Sequence, residues 1–478
     1  MAVGIAGYGV YIPKYRIRRD DIAKAWGGRD RGENVVPNEN EDTITMAIEA
    51  SFNAIEHACL DDIKTLDAIY LGTGSAPDIE HSYIGVIAET LGTRPDIDIL
   101  DFSSSPRASV AAIKACMDAV EAGRIKYGLV IGSDFRTSSS GSNLELTFGA
   151  GAGALVLSSV NTIADIIDTY TYSTNFRDRW RSVKDTYVRD YEPRFTKEYG
   201  YSRHIINSVN GLIAKSGVTI DKVRHVVFQQ PDEKFARTVA KKLNVTHEQI
   251  ELGLLSQHTG DTGAGSIFLG LSAVLDRARL DDRILAVSYG SGVSDSLLLI
   301  VTNNIEKKRE NCRPVDSYLE SKSYIDYNSY MKITGKLKKA ENPSKMGISP
   351  LSPMLWRAGA EMYRMIGAKC IKCGYVNFPP SERKICIRCG GVEFKEVLLN
   401  RKGRIHTYCI NYYMPAGFES PLPIIIADLD GGVRHRALGT EMMHDEISID
   451  MPVELVLRNI VSEENVKQYG NVFRPIRF

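Results

Sequence analysis

Four cysteines near the carboxyl end of the chain have the spacing of metal ligands. Two CxxC pairs, Cys370 with Cys373 and Cys386 with Cys389, are separated by twelve residues, and a glycine directly follows each pair. Glycine allows the tight turn that points two sulfur atoms at one ion. Because four thiolates favour tetrahedral Zn²⁺ in a closed site, the sequence predicts structural zinc in preference to a redox CxxC or a disulfide framework.

The turn at residues 101–106 (DFSSSP) is the second stretch that could do chemistry. A strand-to-helix turn can present a nucleophile, and the amino terminus of the helix stabilises negative charge. This turn holds three serines and no cysteine. Ser105 is either a serine nucleophile, which needs a general base, or a polar group that caps a helix whose first residue is Pro106 or helps to bind an oxyanion.

The elements that position these residues alternate between strands and helices. Apolar runs such as Leu66–Gly72 and Gly128–Ile131 predict buried strands, and the apolar spacing after Thr43 predicts a helix with Asp42 or Thr43 as its N-cap. From about Asp165 the pattern begins again, which favours two α/β halves and an internal duplication.

The length of 478 residues predicts two or three domains. Residues 306–352 are rich in Lys, Glu, Asn, Tyr and Ser, which favours a linker, and β-rich runs after residue 397 favour a small barrel. The predicted segments are 1–165 and 166–305 for the two α/β halves, 306–352 for the linker, 353–395 for a helix and the metal ribbon, and 396–478 for the barrel.

Composition excludes several classes of function. The 59 basic residues balance 59 acidic ones, which gives no support for a nucleic-acid surface. No run approaches the roughly 20 apolar residues that cross a bilayer, and the amino terminus lacks a secretory pattern. We therefore expect a cytoplasmic protein with neither nucleic acid nor membrane as a partner.

Several long motifs resemble a known superfamily. GYGVYIPKYRI, EDTITMAIEA, FQQPDEKF and GDTGAGSIFLGLSAVLDRARLDDRILAVSYGSG look like the thiolase superfamily, above all archaeal-type hydroxymethylglutaryl-CoA synthase. From Ala360 on, the chain is similar to zinc-ribbon and OB-fold proteins that accompany acyl-CoA enzymes of this superfamily. The resemblance implies a duplicated thiolase-type five-layered α/β/α/β/α sandwich, then a zinc ribbon and an OB-type β-barrel. It also implies a coenzyme A thioester as substrate and a homodimer through the thiolase-like part.

The resemblance fails where the family's chemistry resides. The family's cysteine falls at Ser105, or at Ser104 if the gap is placed differently. Its glutamate falls at Gly74, its histidine at Gln229 and its asparagine at Asp261. These four positions normally form the acyl-enzyme, the base and the oxyanion donors. Synthase chemistry through a cysteinyl acyl-enzyme is therefore not expected.

Other residues could replace the missing groups. His258 could act as a general base near neutral pH, or could be a loop histidine bonded to backbone. Asp232 and Asp261 replace amide side chains of the family, and each could be a base or only a hydrogen-bond partner. Lys234 and Arg237 could meet the phosphates of coenzyme A.

Three functions remain open on these residues. The first is an acyl-CoA enzyme that makes or breaks a C–C bond without an acyl-enzyme, by an aldol or retro-aldol step on a β-hydroxyacyl-CoA. The second is a non-catalytic subunit that binds or channels acyl-CoA beside a separate thiolase-type partner. The third is a serine-dependent acyltransferase in which Ser105 is the nucleophile and His258 the base.

Overall fold

The structure is a computed structural model that describes residues 2–103, 105–311, 313–337, 351–413, 420–463 and 466–478. Ser104 and residues 338–350 of the predicted linker lie outside the described residues. The chain divides into two compact units. The first comprises the described residues of 2–88 and 93–337, and the second those of 351–478 together with residues 89–92.

The first unit alternates strands with helices. Its strands are β1 (Gly4–Tyr11), β2 (Tyr15–Arg18), β3 (Glu33–Val36), β4 (Ala68–Gly72), β5 (Asp98–Phe102), β6 (Tyr127–Phe135), β7 (Ala150–Ser158), β8 (Ala164–Ser173), β9 (Arg179–Trp180), β10 (Arg189–Asp190), β11 (His225–Phe228), β12 (Arg283–Gly290), β13 (Val293–Val301) and β14 (Ser323–Tyr324). Its helices are α1 (Arg19–Ala25), α2 (Thr43–Ala58), α3 (Ile84–Leu91), α4 (Ala108–Glu121), α5 (Pro193–Phe195), α6 (Arg203–Ser216), α7 (Glu233–Lys242), α8 (His247–Glu251), α9 (Ser256–Thr259), α10 (Ser266–Leu275), α11 (Asn304–Lys308), α12 (Val315–Glu320) and α13 (Tyr327–Ile333).

A nine-stranded sheet has the order β11-β12-β13-β8-β1-β7-β6-β4-β5. In the first half, β7 pairs antiparallel with β1 and with β6, and β6 pairs parallel with β4. In the second half, β13 pairs antiparallel with β8 and with β12, and β12 pairs parallel with β11. The two halves join because β1 pairs with both β7 and β8. This shared pairing pattern supports the predicted duplication.

Helices cover both faces of each half-sheet. Helix α10 packs against β1 and β7 of the first half and against β11 and β12 of the second, so it lies between them. Helix α4 packs on the same face of the first half, where glycines in the strands allow close approach. A Cβ at Gly72 would lie 2.3 Å from the Ser109 Cα atom in α4. Helix α2 covers the other face of the first half and α6 covers the second, which gives five layers.

The described part of the predicted linker is packed against the rest of the first unit. Its helix α12 buries Val315 and Tyr318, and β14 pairs with β2 of the first unit. Lys336 forms an ion pair with Glu145 at 2.7 Å, and both side chains are buried. A low aliphatic content suggests a linker, but in this segment tyrosine side chains supply much of the buried apolar surface. Their hydroxyl groups keep polar partners, since the Tyr318 hydroxyl accepts a hydrogen bond from Asn53.

The second unit combines a short helix, a three-stranded ribbon and a five-stranded sheet. Its helix is α14 (Leu351–Gly359), and its strands are β15 (Ile366–Cys370), β16 (Val376–Asn377), β17 (Phe394–Leu398), β18 (Lys402–Asn411), β19 (Leu422–Leu429), β20 (Val433–Leu438), β21 (Pro452–Glu463) and β22 (Val466–Pro475). The larger sheet has the order β20-β19-β18-β21-β22. A bridge from Gly439, just after β20, to Phe473 in β22 brings its two edges together as a barrel. No helix in the described residues has both the length and the apolar character needed to span a bilayer.

Candidate active site

A cavity of about 530 Å³ lies in the first unit, and both halves line it. The four positions that the resemblance assigns to the family's catalytic residues, Gly74, Ser105, Gln229 and Asp261, all contribute to its wall. They follow strands β4, β5 and β11 and helix α9, respectively. The fold thus brings these positions together, although they carry different side chains.

Ser105 lies at the cavity wall and is 9% exposed. Helix α4 begins at Ala108, not at Pro106, and no side chain caps it. The Ser105 backbone carbonyl accepts a hydrogen bond from the Ala108 amide at 2.9 Å. The predicted capping role is therefore wrong for its side chain. None of the described residues that line the cavity is a histidine or a cysteine.

Gly74, which the resemblance places at the position of the family's glutamate, contacts the buried carboxylate of Asp134. The Asp134 Oδ1 atom accepts hydrogen bonds from the Gly74 amide at 2.7 Å, the Thr73 hydroxyl at 2.9 Å and the Ser75 hydroxyl at 2.7 Å. Its Oδ2 atom accepts from the Ala264 amide at 2.7 Å. Four donors hold the Asp134 side chain in place, and Asp134 is not among the residues that line the cavity.

Gln229, which the resemblance places at the position of the family's histidine, is 1% exposed. Its Nε2 atom donates to the Gly263 carbonyl at 2.8 Å, and its Oε1 atom has no hydrogen-bond partner among the described residues. An amide does not titrate near neutral pH, so this residue can orient a ligand but cannot act as the base.

Asp261 is the centre of a buried ion cluster. Its Oδ2 atom lies 2.7 Å from the Arg136 Nη2 atom and 2.8 Å from the Arg179 Nη1 atom, and its Oδ1 atom accepts from the Gly263 amide at 3.0 Å. Burial alone would raise the pKa of this carboxyl group, but the two arginine charges outweigh burial and hold the pKa below its usual range. Asp261 is therefore ionised and paired, which leaves it poorly suited to be a base.

Two further buried residues that the sequence analysis missed also line the cavity. Asp178 and Tyr289 line the cavity, and each is 4% exposed. The Tyr289 hydroxyl makes no aligned hydrogen bond with a described residue. Burial, and next the negative charge of Asp178, raise the pKa of Tyr289 far above its usual value, so the phenol is protonated.

The other predicted site residues lie outside this wall. His258 is 57% exposed, and its Nδ1 atom lies 3.9 Å from the Glu33 carboxylate. Its backbone belongs to the one-turn helix α9, which directs its neighbours Ser256 and Thr259 inward instead. Asp232 is the N-cap of α7 and accepts from the Lys234 amide at 2.7 Å.

Lys234 and Arg237 are exposed on α7 and do not line the cavity. Arg237 is paired with Glu233 at 2.5 Å, one helical turn away. The geometry gives no support for His258 or Asp232 as a base, and the two cations remain a prediction for the coenzyme phosphates.

A positional signal could have identified the missed groups. Arg136 directly follows β6, and Tyr289 lies at the end of β12 before a glycine turn. Ligands in α/β sheets bind at the carboxyl ends of strands, and both residues occupy such ends. Asp178 and Arg179 lie in an irregular polar segment in which no comparable pattern singles them out.

The four cysteines of the second unit converge as predicted. Their sulfur atoms lie within 4.8 Å of one another. The Gly374 amide donates to the Cys370 carbonyl at 2.9 Å, and the Gly390 amide makes the same bond to the Cys386 carbonyl at 2.9 Å. Both glycines have φ of 72°, the left-handed conformation that such a turn requires.

Comparisons with protein families match different families to the first and second units of the chain. The family described as 3-oxoacyl-[acyl-carrier-protein] synthase III matches residues 100–175, and its C-terminal part matches residues 213–300. The family described as ChsH2, C-terminal OB-fold domain, matches residues 396–458. The predicted thiolase-type fold followed by an OB-fold is confirmed.

Relatives match the first part of this division over nearly their full length. Hydroxymethylglutaryl-CoA synthase of Methanocaldococcus jannaschii is 41% identical over 344 residues, which cover 70% of this chain and 99% of the relative. The enzyme of the same name from Methanopyrus kandleri is 39% identical over 345 residues, covering 70% and 98%. A crystal structure of HMG-CoA synthase complexed with CoA matches with a TM-score of 0.65 at 21% identity, covering 73% of this chain and 95% of that one. This structural likeness supports the fold.

Proposed function

The chain belongs to the hydroxymethylglutaryl-CoA synthase family, and from this premise we propose that it binds an acyl-CoA and makes or breaks a C–C bond without a cysteine nucleophile. The reaction we propose is an aldol or retro-aldol step on a β-hydroxyacyl-CoA. One observation carries the proposal: the four positions of the family's catalytic residues surround one cavity, yet none of them holds the family's residue.

The chemistry available in the cavity supports a reaction without an acyl-enzyme. Ser105 lacks a histidine partner among the described lining residues, so the serine-dependent acyltransferase has no base there. A retro-aldol step needs no thiol. It needs a base for the β-hydroxyl group, donors for the thioester enolate oxygen and a proton for Cα.

Incubation with a panel of β-hydroxyacyl-CoAs tests the proposal. We expect cleavage to a ketone or aldehyde and a shorter acyl-CoA, measured by liquid chromatography with mass spectrometry, and an unmodified protein mass. Binding without turnover, with activity only after a thiolase-type partner is added, would instead identify a non-catalytic subunit. An acyl adduct on Ser105 would contradict both.

We further propose that Cys370, Cys373, Cys386 and Cys389 hold a structural Zn²⁺. Four converging thiolates are a complete tetrahedral donor set for this ion. When bound, the ion would cross-link the two turns of the ribbon. It would leave no position for a substrate, so no step of the proposed reaction involves it.

A homodimer through the first unit is proposed from its open sheet edge. Among the described residues, strand β5 pairs with β4 alone, and its Ile99 and Leu100 side chains are 41% and 42% exposed. Pairing with β5 of a second copy would cover this apolar edge. We expect a dimer by light scattering, and we expect Leu100→Lys to weaken it by about tenfold or more. A monomeric wild-type protein would exclude this interface.

A further inference from the structure

Asp261 stands where the resemblance places an asparagine of the family, and its carboxylate lies between two guanidinium groups. Its Oδ2 atom is 2.7 Å from the Arg136 Nη2 atom and 2.8 Å from the Arg179 Nη1 atom. We propose that Asp261 is a positioning residue, which acts through Arg179 to hold a hairpin of residues 178–191 as one wall of the cavity. The inference rests on the proposed function in one respect, namely that the ligand of the cavity is an acyl-CoA.

The hairpin of residues 178–191 supplies much of the cavity surface but has little regular structure of its own. Nine of its residues, between Asp178 and Val188, line the cavity. Its strands β9 and β10 share two residue pairs and form a separate sheet outside the nine-stranded one. A two-stranded hairpin is marginally stable by itself. Its position therefore depends on the contacts that join it to the rest of the unit.

The side chains at the tip of the hairpin bond to other residues of the hairpin. Asp185 accepts a hydrogen bond from the Ser182 hydroxyl at 2.7 Å and forms an ion pair with Arg189 at 2.5 Å. Most residues of the tip, 181–186, are exposed. These bonds shape the tip, but they do not fix where it lies over the cavity.

Three polar links join the base of the hairpin to the rest of the unit. The Val188 amide donates to the Thr137 carbonyl at 3.2 Å, and the Ser291 hydroxyl donates to the Arg179 carbonyl at 3.5 Å. Both hydrogen bonds are long for their type. The link from Arg179 to Asp261 is shorter, charge-assisted and largely shielded from water, so it is the strongest of the three.

Asp261 is itself a fixed anchor for this link. Its amide donates to the Thr147 carbonyl at 2.8 Å, which ties it to the first half of the unit. The guanidinium carbon atoms of Arg136 and Arg179 lie 4.4 Å and 5.5 Å from the centre of the Phe148 ring, which adds a cation–π contact to each. Because Arg179 begins β9, the ion pair sets where the hairpin leaves the body of the unit.

The arrangement requires a carboxylate at position 261. The side chains of Arg136 and Arg179 are 5% and 17% exposed, and two cations this close repel each other unless a negative charge lies between them. Asparagine, the family's residue, would supply a hydrogen-bond acceptor but no charge. The aspartate is thus accounted for by the two arginines and needs no role as a base.

Arg179→Gln tests the link and keeps the anchor, because Asp261 retains its pair with Arg136. Hydrogen–deuterium exchange of ligand-free protein should become about tenfold or more faster in peptides of residues 178–191 and stay unchanged in the nine-stranded sheet. The dissociation constant of acetyl-CoA, measured by calorimetry, should rise about three- to tenfold, because the wall is then formed in only a fraction of the molecules.

Two further variants separate this link from the general loss of an arginine. Arg179→Lys keeps a cation that can reach Asp261, so both hairpin exchange and acetyl-CoA binding should return most of the way to the wild-type values. Arg194→Gln is the matched control, since Arg194 forms an exposed ion pair with Glu198 just outside the hairpin and does not line the cavity. It should leave both measurements within about twofold.

The outcomes separate this inference from the proposed function. Unchanged exchange of the hairpin in Arg179→Gln, or faster exchange with unchanged acetyl-CoA affinity, would overturn the inference and leave the proposed function in place. Faster exchange throughout the first unit with a lower melting temperature would assign Arg179 a general structural role and also overturn it. A wild-type protein that binds neither acetyl-CoA nor a β-hydroxyacyl-CoA would overturn the proposed function, while exchange in the ligand-free protein would still decide whether Asp261 holds the hairpin.

Discussion

Cys386→Ser is expected to abolish metal binding and to unfold the ribbon of the second unit. Zinc content, measured by plasma mass spectrometry, should fall from one ion per chain to near zero. Structural zinc contributes on the order of 10 kcal/mol in small zinc domains, so its loss should outweigh the remaining contacts of the ribbon. The apolar residues of the ribbon would then lose their packing against the barrel, because Val376 and Val397 contact the same core as Ile405.

The same unit provides a matched control for this substitution. Cys409 is an exposed free cysteine in β18 and belongs to no cluster in the described residues. Cys409→Ser should keep both the metal and the melting transition of the second unit. Protein purified without chelators that contains no stoichiometric metal, or a Cys386→Ser variant with an unchanged transition, would contradict the zinc proposal.

Asp261→Asn is expected to destabilise the first unit, although it restores the residue type of the family. The substitution leaves Arg136 and Arg179 without the carboxylate between them, and Arg136 is almost fully buried. Removing one member of a buried ion pair costs about 3–5 kcal/mol, so the melting temperature should fall by about 5 °C or more. Differential scanning calorimetry measures this change.

The effect of Asp261→Asn should depend on pH in a defined direction. The folded state holds the pKa of Asp261 below its unfolded value of about 3.9, so its contribution is complete above that pH and disappears as the pH falls through the folded pKa. The difference between wild type and variant should therefore narrow in strong acid. Asp232→Asn is the control, since asparagine also caps a helix well. Equal melting temperatures of wild type and Asp261→Asn at neutral pH would refute the ion-cluster account.

The cysteine cluster could be predicted because its signal is local. The spacing of each CxxC pair and the glycine after it encode the turn geometry, and the fold adds only the approach of the two pairs. The helix α2 was predicted with its cap for the same reason, because Asp42 and Thr45 form a reciprocal capping box within four residues. Such features depend on neighbours in the chain.

The ion cluster around Asp261 could not be predicted because its members are distant in sequence. Asp261 is paired with Arg136 and Arg179 through a fold that joins both halves. His258 was predicted as a general base because it lies near Asp261 in the chain. The one-turn helix α9 instead leaves its side chain exposed to solvent. Proximity in sequence within a loop does not determine which side chains share a cavity.

The position of β1 in the sheet has a consequence for biosynthesis. This strand is the first in the chain, every residue in it is buried, and its partners β7 and β8 occupy Ala150–Ser158 and Ala164–Ser173. At about 5–20 residues per second, a ribosome delivers those partners on the order of ten seconds after β1. During that interval an apolar segment has no strand to pair with. The nascent chain should therefore need chaperone protection, and the sheet can close only after both halves meet at this strand.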